Sequence, residues 1–151
     1  MMRALTLHQP WAWAIAHADK AIENRQKVPP LALIGHDFAV HAGLTLDEVA
    51  WADFRDGLYG DAAQLVPDTE HLVRGAVVAV ARLDDYRRVM RAWPLGRDIE
   101  ADRRWFTGAV GNILSDRRPL RTPVPCRGMQ GWWPLPPDVE AAVRAQLAEA
   151  G

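Results

Sequence analysis

The stretch Lys20-Ala21-Ile22-Glu23-Asn24-Arg25 places two cations and a carboxylate within six residues. What they can do depends on the backbone between them. In an extended chain side chains alternate, so Glu23 and Arg25 share one face while Ile22 and Asn24 share the other. A guanidinium grips a phosphate through two parallel hydrogen bonds, and a carboxylate accepts from the exocyclic amine of a base. Lys20, just upstream, adds a second positive charge. The same trio also reads as a surface Glu/Arg pair with a solvated lysine, worth about 0–1 kcal/mol. His41 precedes Ala42-Gly43 at the end of a predicted strand, where small residues allow close approach to the backbone. A histidine there can shuttle a proton or hydrogen-bond a phosphate or base, and it reads equally as a half-buried residue bonded to backbone. If the chain is an enzyme, Lys20, Glu23 and His41 are its candidate catalytic residues.

Other chemistries find less support in the residue pattern. Cys126 is the sole cysteine, which excludes an intramolecular disulfide and fits a reducing compartment. Its neighbour Arg127 can lower the thiol pKa, although a lone thiol on a strand is more often packing. The five histidines show neither HxH nor HxxxH spacing, so no metal site is expected. There is no GxGxxG, Walker or GxSxG motif, and no cofactor is expected. Of the seven tryptophans, Trp11 falls on the buried face of a predicted helix and one of Trp132 and Trp133 must point inward. Trp13, Trp93 and Trp105 are the candidates for exposed base-stacking surfaces.

The elements that must position these residues follow from the patterning of a 151-residue chain that is 49% hydrophobic and 25% charged. Such values match one globular domain spanning residues 1–151. No run reaches the about 18 apolar residues of a membrane span, and no signal-peptide core follows Met1-Met2-Arg3, so a cytoplasmic chain without membrane partners is expected. Alternation predicts strands over 3–7, 37–42, 75–85, 109–114 and 119–126, with an extended segment at 22–25. A helix starts at Pro10 and buries Trp11, Ala14, Ile15 and Ala18. Thr45-Leu46-Asp47-Glu48 reads as a capping box opening a helix from Leu46 to about Leu58, with Leu46, Val49, Ala50 and Phe54 buried. Gly128 and Gly131 bracket a turn before Trp132-Trp133, and a last helix begins at Pro136-Pro137-Asp138 and buries Val139, Val143 and Leu147. Residues 86–108 read as a charged, partly helical insertion. The pattern predicts an α+β fold with a small mixed barrel of about five or six strands flanked by helices. Net charge is −1, yet residues 74–127 carry 12 Lys/Arg against 6 Asp/Glu, a hint of an anionic partner if the fold gathers those arginines on one face.

Five segments in order, Ala4-Leu5-Thr6-Leu7-His8-Gln9-Pro10-Trp11, Lys20 to Arg25, Val40-His41-Ala42-Gly43, Gly75 to Leu83, and Pro125-Cys126-Arg127-Gly128 with Gly131-Trp132-Trp133, resemble the ASCH domains of the PUA-like superfamily. The resemblance implies a small β-barrel with a helix beside a cleft, and RNA or a nucleotide-like ligand as partner. It implies a ligand-binding set of Gln9, Lys20, Glu23, Arg25, His41 and Arg82. Nucleic-acid binding, to RNA above all, or modified-nucleotide binding near Lys20 to Arg25 is the expected function. The alternatives are a metal-independent ribonuclease, an amidohydrolase acting on a modified nucleoside such as acetylcytidine, and an adaptor whose segment 86–108 engages a protein. For the amidohydrolases of this fold the resemblance is partial. Lys20 matches their lysine, but Glu23 stands where their threonine nucleophile would be, and Ala79 where their glutamate would be. Neither the hydroxyl nor the positioned acid carries over.

Overall fold

A computed structural model of the chain describes residues 1–88 and 97–151. Among them six strands form one mixed sheet: β1 (Arg3–Gln9), β2 (Ile22–Arg25), β3 (His36–Leu46), β4 (Ala76–Arg87), β5 (Val110–Pro125) and β6 (Trp132–Pro134). The spatial order is β2-β5-β4-β3-β1-β6. Only β1 and β3 run parallel; the other neighbours are antiparallel. The helices are α1 (Trp11–His17), α2 (Glu48–Arg55), α3 (Asp61–Gln64), α4 (Ile99–Trp105) and α5 (Pro137–Ala150). The result is the expected α+β arrangement around a barrel-like sheet. The sheet stays open between β2 and β6, because β6 pairs only with Arg3 to Leu5 of β1. Beyond Leu5 that edge of β1 pairs with no strand among the described residues, and the cleft forms there.

Each face of the sheet is covered by a different helix. Leu5, Leu7, Phe38, Val40, Ala81 and Leu83 pack with Ala12 and Ile15 of α1. Ala4, Ala39, Val77 and Val80 pack against Val139 and Val143 of α5. A third cluster joins Ile22 and Ile113 to Phe54 of α2 and Trp105 of α4, with Trp11 and Tyr59 against it. Its rings meet mostly edge to face, and Tyr59 stacks on Trp105 with centroids 4.8 Å apart, arrangements favoured by the aromatic quadrupole.

Several local expectations are corrected. Thr45 and Leu46 belong to β3, since Leu46 is in register with Gln9 and the Asp47 N–H donates to the Gln9 carbonyl. The helix therefore starts two residues later, and its cap is Asp47, whose carboxylate accepts from the Ala50 N–H. Val49 lies on the outer face of α2, 73% exposed, while Ala50 and Phe54 are buried. The two strands expected over 109–114 and 119–126 are one strand, β5, interrupted by a register shift where Asp116 takes φ of 44°. Aspartate tolerates this left-handed conformation, so the ladder resumes beyond it. Of the segment 86–108, residues 89–96 lie outside the described residues, and the described parts belong to the fold: β4 continues through Arg87, and α4 begins at the Asp98 cap and packs beside β2. Trp93 lies outside the described residues.

Candidate functional site

Lys20 follows α1 and is held before β2 by two arginines. Arg117, turned inward at the β5 shift, donates to the carbonyls of Ile15 and Ala18, at the α1 end where a helix leaves acceptors free, and of Lys20 beyond it. Arg97 donates to the Ala21 carbonyl and pairs with Asp102 through two hydrogen bonds of 2.7 and 3.1 Å. Thus fixed, the Lys20 side chain runs beneath Trp11 and Trp105, its Nζ 5.6 and 5.8 Å from their ring centroids. It has no solvent exposure at all. Nζ donates to the Ile22 carbonyl and to Glu23 Oε1 at 3.1 Å. Burial pushes its pKa below the ordinary lysine value; Glu23 opposes this, and Arg25 and Arg117 add to it. The solvated lysine of the surface reading is corrected: Lys20 is buried at the floor of the site and hydrogen-bonds Glu23.

Glu23 and Arg25 share a face as alternation requires. Arg25 Nη2 stands 3.5 Å from Glu23 Oε2 and donates to the Thr6 carbonyl at 3.1 Å. That carbonyl belongs to the free edge of β1, so a side chain spans the gap where strand pairing stops. The residues open onto a cleft of about 290 Å³ lined by Thr6, His8, Trp11, Lys20, Glu23 and Thr107. Asn24 and Arg25 also line it, and with Thr6 and His8 they continue into a broader cavity of about 1100 Å³ whose walls include Leu5, Lys27, Pro29, Pro30, Met129 and Trp132. The smaller part is lined mostly by polar side chains; the larger part adds apolar faces. Asn24, on the opposite face from Glu23, fastens the rim: it donates to the Trp105 carbonyl and accepts from the N–H groups of Thr107 and Gly108.

The remaining predicted residues do not converge here. His41, buried at 1% exposure, is in register with Thr6 and lies on the other side of β1 from Arg25. Its Nε2 donates to the Cys126 carbonyl at 2.9 Å, and its Nδ1 lies 3.2 Å from Thr6 Oγ1, which also accepts from Trp133 Nε1. Burial holds its pKa below the usual histidine value, partly offset by the Cys126 carbonyl. Gly128 packs against it so closely that a Cβ would stand 2.6 Å from His41 Cε1. His41 thereby anchors the turn that presents Met129 and Trp132 to the cleft. Gln9 is buried and spent on backbone, donating to the Val73 carbonyl and accepting from the Trp13 N–H. Arg82, half-exposed 3.6 Å from Asp84, lines a separate depression with Arg3, His36 and Arg144.

Trp105 is also not a stacking surface: it is fully buried, and its Nε1 donates to Asp19. Trp13 is half-buried. Cys126 follows the packing reading: it lies partly buried against the core cluster under α5, and burial, with Asp138 nearby, raises its thiol pKa. Sequence reasoning missed His8, Thr107, Met129 and Arg117. The first three reach the cleft through loops and strand ends without periodicity, and Arg117 is redirected by the β5 shift.

Among solved structures the fold is similar to an ASCH protein from Zymomonas mobilis, with a TM-score of 0.54 at 15% identity over 95% of this chain and 94% of that one. Two substituted forms of the Zymomonas protein also give 0.54, at 14% and 15% identity, over 95% of this chain and 96% and 94% of theirs. Among curated proteins none matches the sequence. The family model of the ASCH domain matches residues 5–116, from β1 with its free edge, through the Lys20 to Arg25 segment, to the shift in β5 that anchors it. The chain therefore belongs to the ASCH domain family.

Proposed function

We propose that the chain binds a nucleotide unit of single-stranded RNA, or a modified nucleotide, in the cleft between β1 and β2. The observation that carries this reading is the continuity of two unlike environments around Thr6, His8, Asn24 and Arg25. A nucleotide is itself built this way, with a flat apolar base face, a hydrogen-bonding base edge and an anionic phosphate. Glu23 suits a base N–H or amino group, Arg25 and Lys27 suit phosphate oxygens, and Trp132 offers a ring for stacking. A near-neutral chain suits such local recognition better than non-specific duplex binding, which grows with the number of phosphates neutralised.

Fluorescence anisotropy with a panel of short single-stranded RNAs tests the reading. Arg25→Ala is expected to weaken binding by about 10–100-fold, the worth of a charge-assisted hydrogen bond of about 1.5–3 kcal/mol. Absence of binding across the panel overturns it. A hydrolytic reading has one observation in its favour: a fully buried amine with lowered pKa beside a carboxylate, a pairing suited to proton transfer. The same samples held in EDTA separate the two, since intact RNA supports binding and fragments support hydrolysis.

A further inference from the structure

Among the described residues, buried side-chain nitrogens and oxygens without a hydrogen-bond partner are Arg25 Nε, Asn112 Nδ2, Asn112 Oδ1 and Arg118 Nη2. The last has the Asp37 carboxylate at 2.8 Å, so its charge is matched. The other three lie on one face of the sheet, the face that Glu23 and Arg25 turn toward the cleft. Glu23 of β2 is in antiparallel register with Asn112 of β5, and partners in register share a face with Cβ atoms about 4.5–5.5 Å apart. Arg25, two residues beyond Glu23, is on that face as well. Asn112 is 1% exposed and follows Gly111 in a strand that continues Ile113-Leu114. Neither strand propensity nor packing favours a carboxamide at such a position. Native proteins leave few polar groups unpaired in this way, and each one calls for a reason.

We propose that Asn112 is a specificity-determining residue of the cleft, its carboxamide reading, together with Glu23, a nucleobase edge that presents a donor beside an acceptor. The inference rests on the nucleotide-binding reading above and deepens it. Glu23 Oε2 keeps lone-pair capacity beside Arg25 and accepts from the base amino group or ring N–H. Asn112 Nδ2 donates to the adjacent ring nitrogen or carbonyl, while Arg25 Nε offers a further donor on the same face. A site built to satisfy a polar edge rejects ligands lacking it, because its own buried groups are then left unpaired.

The proposal separates recognition from stability, and this makes it testable. Replacing an unpartnered buried amide by an apolar group of similar size removes a desolvation cost without breaking a bond. Asn112→Leu is therefore expected to melt at the same or a higher temperature than the parent, yet to bind short single-stranded RNA at least about tenfold more weakly. In the parent, the Asn112 side-chain amide resonances are expected to shift in titrations with CMP, UMP, AMP or GMP. A lower melting temperature with unchanged binding assigns Asn112 a structural role and overturns the inference. If Asn112→Leu loses both, the parent titration decides: amide resonances that stay put at saturating nucleotide overturn it. A parent that binds neither RNA nor any of the four nucleotides overturns the nucleotide reading and this inference together. Binding by the parent that Asn112→Leu matches overturns this inference alone.

Discussion

Lys20 is the residue whose environment departs furthest from its type. An ammonium on a four-carbon stem ordinarily reaches water, and an exposed Lys→Ala change ordinarily costs less than about 0.5 kcal/mol. Here the stem is enclosed by Trp11 and Trp105, and the nitrogen is committed to Glu23 and the Ile22 carbonyl. Removing one member of a buried pair leaves the other desolvated, a loss of about 3–5 kcal/mol. Urea unfolding of Lys20→Ala is expected to show a loss of that size. The double change Lys20→Met with Glu23→Gln is expected to lose less, because neither replacement leaves a charge stranded. A single-mutant cost under about 1 kcal/mol would contradict the burial argument. Any activity assay on Lys20 variants therefore needs a matched stability measurement, since loss of the lysine also releases the Glu23 carboxylate that faces the cleft.

Among the elements, α2 depends on one residue for two tasks. Asp47 Oδ1 caps the helix by accepting from the Ala50 N–H at 3.0 Å, and Oδ2 accepts from Trp11 Nε1 at 3.0 Å. The cap thus fastens α2 to the aromatic cluster that encloses Lys20. Losing an N-cap costs about 1 kcal/mol, and stranding a partly buried indole N–H adds about as much. Asp47→Ala is expected to lower the unfolding free energy by about 2 kcal/mol, whereas Thr45→Ala, at the exposed strand end, is expected to change it by less than about 0.5 kcal/mol. Equal effects in chemical denaturation would restore Thr45 as the cap. The difference comes from β3: the residues T-L-D-E fit a capping box by spacing, but Leu46 is already engaged opposite Gln9, and the helix can begin only where the ladder releases the chain.

For the molecule as a whole, much of the mid-chain excess of arginine is engaged within the fold among the described residues. Arg82, Arg87, Arg97, Arg104, Arg118 and Arg121 each lie within ion-pair distance of a carboxylate. Arg117 is turned inward onto carbonyls. The cations left for an anionic ligand at the cleft are chiefly Arg25 and Lys27. Single-stranded nucleic acid releases about 0.7 counterion per phosphate neutralised, so two contacts give a salt slope of about −1 to −2 in log affinity against log salt. Anisotropy titrations across a salt series are expected to give that shallow slope. A slope steeper than about −4 would mean that the ion-paired arginines open to meet the strand.

Periodicities of 2 and 3.6 are local, so what depended on them alone was readable in the chain: the strand at 22–25 with Glu23 and Arg25 on one face, the long apolar strand after Gly75, and the Pro137 helix burying Val139 and Val143. The ordered segments from Ala4 to Trp133 carried the family resemblance as well. Burial and register depend on residues far apart in sequence, and only the tertiary structure decided them. Lys20 is buried because Trp105, from a segment with no clear period, closes over it. His41 leaves the site because parallel pairing puts it beside the Thr6 hydroxyl, while the Thr6 carbonyl faces Arg25. Asn112 stands opposite Glu23 because β2 pairs with β5 in the one register that sets it there, and a shift of one residue would have turned its side chain to the other face.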